Sequence, residues 1–178
     1  VEEHYHTAVI KKKNGKERLL LVPDPLLKGI QRQILHNVLE ERPISKYAMA
    51  YHKGASLKDN AAPHVGKEKI LKLDMENFFQ NILFSQVLQS AFPGKYFPPS
   101  VGTLLTYLCC YYDYLPQGAP TSPAISNLVM KPFDESMGKW CEERGIAYSR
   151  YCDDMTFSGD FDADMVKRKA GAFLNHMG

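Results

Sequence analysis

Three aspartates are the acidic residues of this sequence that are best placed to bind a metal ion or to take part in a reaction. Asp153 and Asp154 are adjacent within the β-rich residues 146–158, and Asp74 ends the short strand-like run of residues 69–74. Two like charges at a tight turn repel each other unless a cation lies between them or one carboxylate binds a proton. If the two runs are neighbouring strands, Asp74 and Asp153 converge at one sheet edge, and oxygen ligands of this kind suit Mg²⁺. A solvated turn is the alternative interpretation of the Asp-Asp pair.

Positive charge is concentrated near the N-terminus. The 178 residues carry a formal net charge of only +2. Residues 10–36, however, contain seven Lys or Arg and two acids, so this segment carries +5 and the rest of the chain carries −3. Such a segment is either a solvated charged face or a surface that binds phosphate groups.

The hydrophobic pattern predicts strands and helices without regular βαβ alternation. We therefore expect an α+β fold, with helices packed on one face of a small antiparallel sheet. The predicted elements are a hairpin of strands 6–12 and 16–22 around Asn14-Gly15, a helix over 26–41, a connection over 42–68, a strand over 69–74, helices over 84–91, 99–112 and 125–141, a second hairpin over 146–158 with Asp153-Asp154 between its strands, and a last helix from about 162.

Composition excludes several classes of protein. Hydrophobic residues make up 44% and charged residues 24% of the chain, which excludes disordered and collagen-like proteins. The longest aliphatic run, residues 19–22, is far too short to span a membrane. The four cysteines lack CxxC spacing, which predicts free thiols in a reducing cytoplasm. The chain does not begin with Met, so we expect a fragment or a processed protein.

Three segments occur in a recognisable order: residues 73–79 (LDMENFF), 115–123 (LPQGAPTSP) and 151–154 (YCDD). In order and spacing they resemble the palm motifs of reverse transcriptases, and the basic N-terminal hairpin resembles the fingers motif of that family. The resemblance covers essentially the whole chain. It implies fingers over residues 1–68 and a palm over residues 69–178, ending before the thumb, so that the fragment alone is expected to extend primers poorly.

The resemblance also implies a catalytic metal site. Asp74 and Asp153 would be the metal-binding catalytic carboxylates, and Asp154 would be the supporting acid of the hairpin. Two Mg²⁺ ions, with Mn²⁺ as a substitute, would activate a primer 3′-hydroxyl and stabilise the leaving pyrophosphate. The expected activity is RNA-directed synthesis of DNA from dNTPs.

A second set of residues is implied to bind the nucleotide. Arg18, with Lys12 or Lys13, would hold the triphosphate, since a guanidinium grips phosphate oxygens in a bidentate manner. Gln117 and Gly118 would line the pocket beside the incoming nucleotide and the templating base. Phe79, five residues after Asp74, would be the aromatic gate that excludes a 2′-hydroxyl, whereas Phe78 would pack inward. The alternative is that Phe79 is only a core residue.

One further motif indicates which subfamily of reverse transcriptases the chain resembles. Asn60-Ala-Ala-Pro-His64 looks like the NAxxH motif of retron reverse transcriptases. Asn60 and His64 either contact RNA or hold the 42–68 connection by hydrogen bonding to the backbone. The resemblance implies a bacterial cytoplasmic enzyme whose partners are an RNA template, a DNA or RNA primer and dNTPs, with a retron non-coding RNA and an antiviral effector protein, and no membrane. The alternatives are another phage-defence enzyme of this type, a group II intron maturase, or a non-catalytic nucleic-acid-binding palm domain.

Overall fold

The computed structural model describes residues 1–11, 15 and 17–177, and it contains both helices and strands. The strands are β1 (Tyr5–Lys11), β2 (Glu17–Pro23), β3 (Ile70–Asp74), β4 (Ala147–Tyr151) and β5 (Asp154–Ser158). The helices are α1 (Pro25–Ile34), α2 (Leu57–Ala61), α3 (Phe84–Ala91), α4 (Pro99–Cys109), α5 (Ser122–Glu142) and α6 (Ala163–Asn175). Short 3₁₀ turns cover Glu2–His4 and Ala62–His64, and a π-helical turn, Leu35–Leu39, follows α1. Within the described residues, none of the helices combines the length and the apolar character needed to cross a membrane.

The strands form two separate antiparallel sheets. β1 pairs with β2, with Ile10 opposite Arg18, and the second sheet has the strand order β3-β5-β4. The predicted mixture of helices and antiparallel strands is confirmed, but the strands among the described residues lie in two sheets rather than one. The packing of the helices on one sheet face stays a prediction. Lys12, Lys13 and Asn14, which include part of the predicted hairpin turn, lie outside the described residues.

The chain divides into two compact units. The first unit contains Val1–Arg42 and Asn77–Val129, and the second contains Pro43–Glu76 and Met130–Gly178. The chain therefore passes between the units three times. The division into fingers (1–68) and palm (69–178) stays a prediction, and its boundary at residue 68 is not one of these crossing points.

A buried glutamine of α1 connects three elements of the first unit by hydrogen bonds. α1 begins where the Asp24 carboxylate accepts a hydrogen bond from the Leu27 amide at 2.9 Å, an ordinary N-terminal cap. Gln31, about one helical turn after Leu27, is fully buried and donates to the Tyr5 hydroxyl and to the Leu108 carbonyl, both at 2.8 Å. These contacts connect β1, α1 and α4. The predicted helix over 26–41 is therefore largely correct, although its second half has π geometry.

In the three-stranded sheet of the second unit, β4 and β5 carry buried residues, whereas the residues of β3 are exposed or half-buried. Tyr148, Ser149 and Arg150 of β4 are all buried, as are residues 155–158 of β5. The rings of Tyr148 and Phe157 stack with centroids 5.0 Å apart. Asp162 caps α6 by accepting from the Asp164 amide at 2.8 Å, which agrees with the predicted start of the last helix.

Candidate active site

A two-residue turn between β4 and β5 carries the hairpin acids. Tyr151 ends β4 and pairs with Asp154, which begins β5, so Cys152 and Asp153 alone form the tip. The prediction that the Asp153-Asp154 pair separates the two strands is therefore wrong by one residue. The reason is that the first turn position, Cys152, adopts a left-handed φ of 62°, which closes the hairpin in two residues.

The register of β3 against β5 brings the third aspartate to the same edge. Asp74 lies opposite Asp154, and the amide of Met75 donates to the Asp153 carbonyl at 3.1 Å. The expectation that the two acid-bearing runs are neighbouring strands is confirmed. Asp74 and Asp154 are exposed to solvent, and Asp153 is half-buried.

The electrostatics of this edge favour a cation. Partial burial raises the pKa of Asp154, and the negative charges of Asp153 and Asp74 raise it further, while Lys72 opposes the shift. Three carboxylates that repel one another in this way gain from a shared positive charge. The donor set, made only of carboxylate oxygens, fits a hard cation such as Mg²⁺.

The carboxylates do not by themselves form a closed metal cage. Across the described part of the chain, no group of three or more His, Cys, Asp or Glu side chains is arranged to hold a metal ion. Mg²⁺ is usually bound by one or two carboxylates, several waters and the phosphates of a substrate, so an incomplete protein cage is the expected arrangement for it.

A buried polar network, which the sequence pattern did not predict, lies behind the turn. The guanidinium of Arg150 donates to both carboxylate oxygens of Asp134, at 2.9 and 2.7 Å, and to the Cys152 carbonyl at 2.7 Å. The Tyr148 hydroxyl also donates to Asp134, at 2.8 Å. The turn has a further contact: the Tyr51 hydroxyl donates to the Cys152 sulfur at 3.0 Å.

In the first unit, the loop that carries Gln117 and Gly118 is fixed to strand β2. The Leu21 amide donates to the Gln117 carbonyl at 2.9 Å. Gly118 has a φ of 128°, and a Cβ at this position would lie only 2.7 Å from the Leu21 carbonyl oxygen. The structure thus joins the predicted pocket loop to the strand that carries Arg18, whose side chain is exposed. The other predicted phosphate ligands, Lys12 and Lys13, lie outside the described residues.

Gly118→Ala is expected to destabilise the first unit by about 1–3 kcal/mol, because the methyl group meets the Leu21 carbonyl and the backbone is strained at positive φ. The matched control is Gly94→Ala, where φ is not positive and an added methyl group would have no atom within 4 Å. Chemical denaturation of both variants measures the difference. Equal stability of the two variants would show that the loop does not need glycine.

The sequence of this chain is similar to those of known proteins. Residues 10–176 match the family described as "Reverse transcriptase (RNA-dependent DNA polymerase)". The chain belongs to this family. It is also similar to curated retron reverse transcriptases: 32% identical to Retron Ec86 reverse transcriptase of Escherichia coli over 93% of the chain, 36% to Retron Mx65 reverse transcriptase of Myxococcus xanthus over 88%, and 35% to Retron Ec83 reverse transcriptase of E. coli over 87%.

The similarity covers only part of each relative. The aligned regions make up 52%, 41% and 53% of the Ec86, Mx65 and Ec83 proteins, so the chain spans about half the length of the curated relatives that it matches.

The NAxxH motif of this reverse transcriptase chain lies against the three-stranded sheet. His64 is 7% exposed, and its ring nitrogens lie 2.6 Å from the Ser158 hydroxyl and 2.8 Å from the Ser149 hydroxyl. Ser149 in turn donates to the Asn60 side-chain oxygen at 2.8 Å. Because the His64 ring is enclosed, these contacts favour the structural interpretation of the motif. The main partners are serine side chains rather than the expected backbone groups.

Replacing His64 is expected to destabilise the fold by about 1–3 kcal/mol, since two buried hydroxyls lose a partner. Burial, together with the charge of Lys72, lowers the pKa of His64. The unfolded chain then binds more protons in acid, so this contribution is complete above about pH 6.5 and is lost as the pH falls. Denaturation midpoints should therefore fall less steeply toward acid pH in His64→Gln than in the wild type.

The control for this measurement is His6→Gln, which replaces an exposed histidine on β1. It should keep both the stability and the pH profile of the wild type. An unchanged acid slope in His64→Gln would contradict the role assigned to the His64 hydrogen bonds.

Both aromatic residues of the 73–79 motif are buried. Phe78 is 6% and Phe79 is 7% exposed, and their rings meet edge to face with centroids 5.2 Å apart. The expected division, with one ring packed and the other open to a pocket, is therefore not observed. A left-handed Asn77 (φ 50°) precedes the pair and turns the backbone, so the two side chains do not follow strand alternation. The gate function of Phe79 stays a prediction.

Proposed function

We propose that this chain is the catalytic portion of a retron-type RNA-directed DNA polymerase. The observation that carries the proposal is the pairing of β3 with β5, which places Asp74 beside Asp153 and Asp154 in a chain of the reverse transcriptase family. A non-catalytic palm domain would have no need to keep three mutually repelling carboxylates at one exposed edge.

In this proposal, Asp74 and Asp153 hold the divalent cations, and Asp154 adds negative charge to the same edge. The bound Mg²⁺ would lower the pKa of the primer 3′-hydroxyl and neutralise charge on the leaving pyrophosphate. The carboxylates of Asp74 and Asp153 would serve to position the ions, and the nucleotide phosphates would complete the coordination.

The nucleotide would be bound by residues of the first unit. Arg18, assisted by Lys12 or Lys13, would pair with the triphosphate, because an exposed guanidinium can form bidentate hydrogen bonds with phosphate oxygens. Gln117 and Gly118 would line the pocket, and the close contact of Gly118 with β2 would allow the backbone itself to approach the base pair. Phe79 would exclude ribonucleotides.

The partners follow from the same proposal. The template would be RNA, the primer DNA or RNA, and the substrates dNTPs. The Asn60–His64 motif and the similarity to retron reverse transcriptases favour a retron non-coding RNA as the template, with an effector protein in an antiviral system. A gene for a structured RNA beside the reading frame would support this assignment.

The test is synthesis by the full-length protein purified with the RNA encoded beside its gene. We expect labelled dNTPs to be incorporated into a product that resists RNase but not DNase, with no incorporation in EDTA. Incorporation of ribonucleotides alone, or no synthesis on any RNA template in the presence of Mg²⁺, would contradict the proposed function.

A further inference from the structure

We propose that Arg150, clamped by Asp134, is a positioning residue that fixes the metal-binding geometry of Asp153. This inference rests on the proposed function, since it concerns the same carboxylates, but it assigns a role to two residues outside the site motifs. Neither residue serves as a ligand of the substrate or the metal, and both act through the backbone of the turn.

Arg150 and Asp134 are completely buried. The side chains are 0% exposed, and the guanidinium binds the carboxylate in a bidentate manner through Nε and Nη2. Removing two charges from water is costly, and an apolar pair of similar volume is often at least as stable. Fold stability alone is therefore a weak reason for an ion pair at this position, and the third hydrogen bond of the guanidinium gives a better one.

That third bond, from Nη1 to the Cys152 carbonyl at 2.7 Å, acts directly on Asp153. The Cys152 carbonyl belongs to the peptide group shared with Asp153, and a peptide group is planar. Holding this oxygen therefore sets the orientation of the backbone from which the Asp153 side chain projects. The bidentate contact with Asp134 keeps the guanidinium plane from rotating, so the direction of the third bond is fixed as well.

The next peptide group is held from the other side. The Asp153 carbonyl accepts from the amide of Met75, the residue after Asp74. Both carbonyls that flank the Asp153 side chain thus accept a hydrogen bond. The partner of the first is Arg150, which is itself bound to Asp134 of α5, and the partner of the second is the amide of the residue that follows Asp74. The separation of the two catalytic carboxylates depends on these two hydrogen bonds.

The turn needs this support because its conformation is unfavourable. Cys152 has a Cβ, and at φ 62° it lies in the left-handed region that such residues rarely adopt. Unfavourable backbone conformations persist where the surroundings over-determine them. Without Arg150, the turn would relax, Asp153 would move, and Mg²⁺, which demands nearly ideal octahedral coordination, would bind less well.

The experiment compares Arg150→Lys with Tyr148→Phe in the full-length protein. Lysine keeps the charge but cannot bind Asp134 in a bidentate manner and reach the Cys152 carbonyl at the same time. Tyr148→Phe removes a hydrogen bond from the same buried Asp134 without touching the turn. It is therefore the control for a general weakening of the buried network.

Four quantities are measured: Mn²⁺ binding by electron paramagnetic resonance in the absence of substrate, the Mg²⁺ concentration giving half-maximal incorporation, the Kd for primer–template, and the melting temperature. We expect Arg150→Lys to weaken Mn²⁺ binding and to raise the Mg²⁺ requirement by about 10-fold or more, with the primer–template Kd unchanged. Tyr148→Phe should lower the melting temperature while leaving both metal measurements at wild-type values.

Unchanged metal binding in Arg150→Lys, or an equal loss in Tyr148→Phe, would overturn the proposal. If Arg150→Lys does not fold, Asp134→Asn replaces it, because the amide keeps the shape and removes the charge that orients the guanidinium. The Mn²⁺ measurement needs no polymerase activity, so it still decides the positioning role if the full-length protein proves to have another activity.

Discussion

Asp153→Asn in the full-length protein is expected to reduce Mg²⁺-dependent incorporation of dNTPs by about 10³-fold or more. The amide has the shape of the carboxylate but no charge, so one anionic ligand of the cation is lost. A metal ion stabilises transition-state charge by several kcal/mol, and each 1.4 kcal/mol, roughly, is a factor of ten in rate. Primer extension with the wild type and the variant at equal protein concentration measures the effect.

The melting temperature distinguishes this loss from unfolding. The negative charge of Asp153 contributes to the raised pKa of Asp154, so its removal relieves a repulsion at the edge of the sheet. The backbone hydrogen bond from Met75 to Asp153 is independent of the side chain. We therefore expect the variant to melt no earlier than the wild type.

Asp160→Asn is the matched control, because Asp160 is an exposed acid in the same unit, beyond the end of β5. It should keep wild-type activity. Incorporation close to the wild-type rate by Asp153→Asn would refute the metal-binding assignment and, with it, the catalytic role proposed for this edge.

The acidic edge could be predicted from the sequence because its signals are local. Asp74 ends one β-rich run, Asp153 and Asp154 interrupt another, and a short antiparallel sheet places such positions together. The exact tip of the hairpin could not be predicted. Whether a turn takes two residues or more depends on the conformation of one residue, and Cys152 gives no sequence signal of a left-handed φ of the kind that glycine or asparagine gives.

The network behind the turn could not be predicted because it depends on distant partners. An arginine in a strand normally indicates a solvent-facing position, since charged residues are almost never fully buried unless paired. Arg150 is buried because Asp134, sixteen residues earlier in the chain and on α5, lies within hydrogen-bond distance. The pair forms only because the fold brings these two distant residues together, and nothing in the local pattern around either residue indicates it.

The two phenylalanines illustrate a related limit. Two adjacent side chains on a turn that follows a strand are expected to point in different directions, one inward and one toward a pocket. The left-handed Asn77 turns the backbone just before the pair, and both rings are buried. The sequence identifies the motif, but the side-chain directions follow from the turn.

Phe79→Ala in the full-length protein is expected to raise ribonucleotide incorporation relative to deoxyribonucleotide incorporation by about tenfold or more. In the proposed role, the ring fills the space beside C2′ of the bound nucleotide, and a 2′-hydroxyl placed there would lose its water without gaining a hydrogen bond. A gate acts through the volume that it fills, so the burial of the Phe79 ring against Phe78 is compatible with it and would hold the ring rigidly in place.

Phe78→Ala is the matched control, because it removes a neighbouring ring of the same size and nearly the same burial. Both variants should lose stability, by about 3–5 kcal/mol each if the cavities do not collapse. Their melting temperatures should therefore fall by similar amounts, whereas the ratio of kcat/KM for rNTP and dNTP should change only in Phe79→Ala. A change of selectivity in both variants would indicate a general loosening of the motif. An unchanged ratio in Phe79→Ala would leave both rings as core residues, and the preference for deoxyribonucleotides would then have to come from another contact to the sugar.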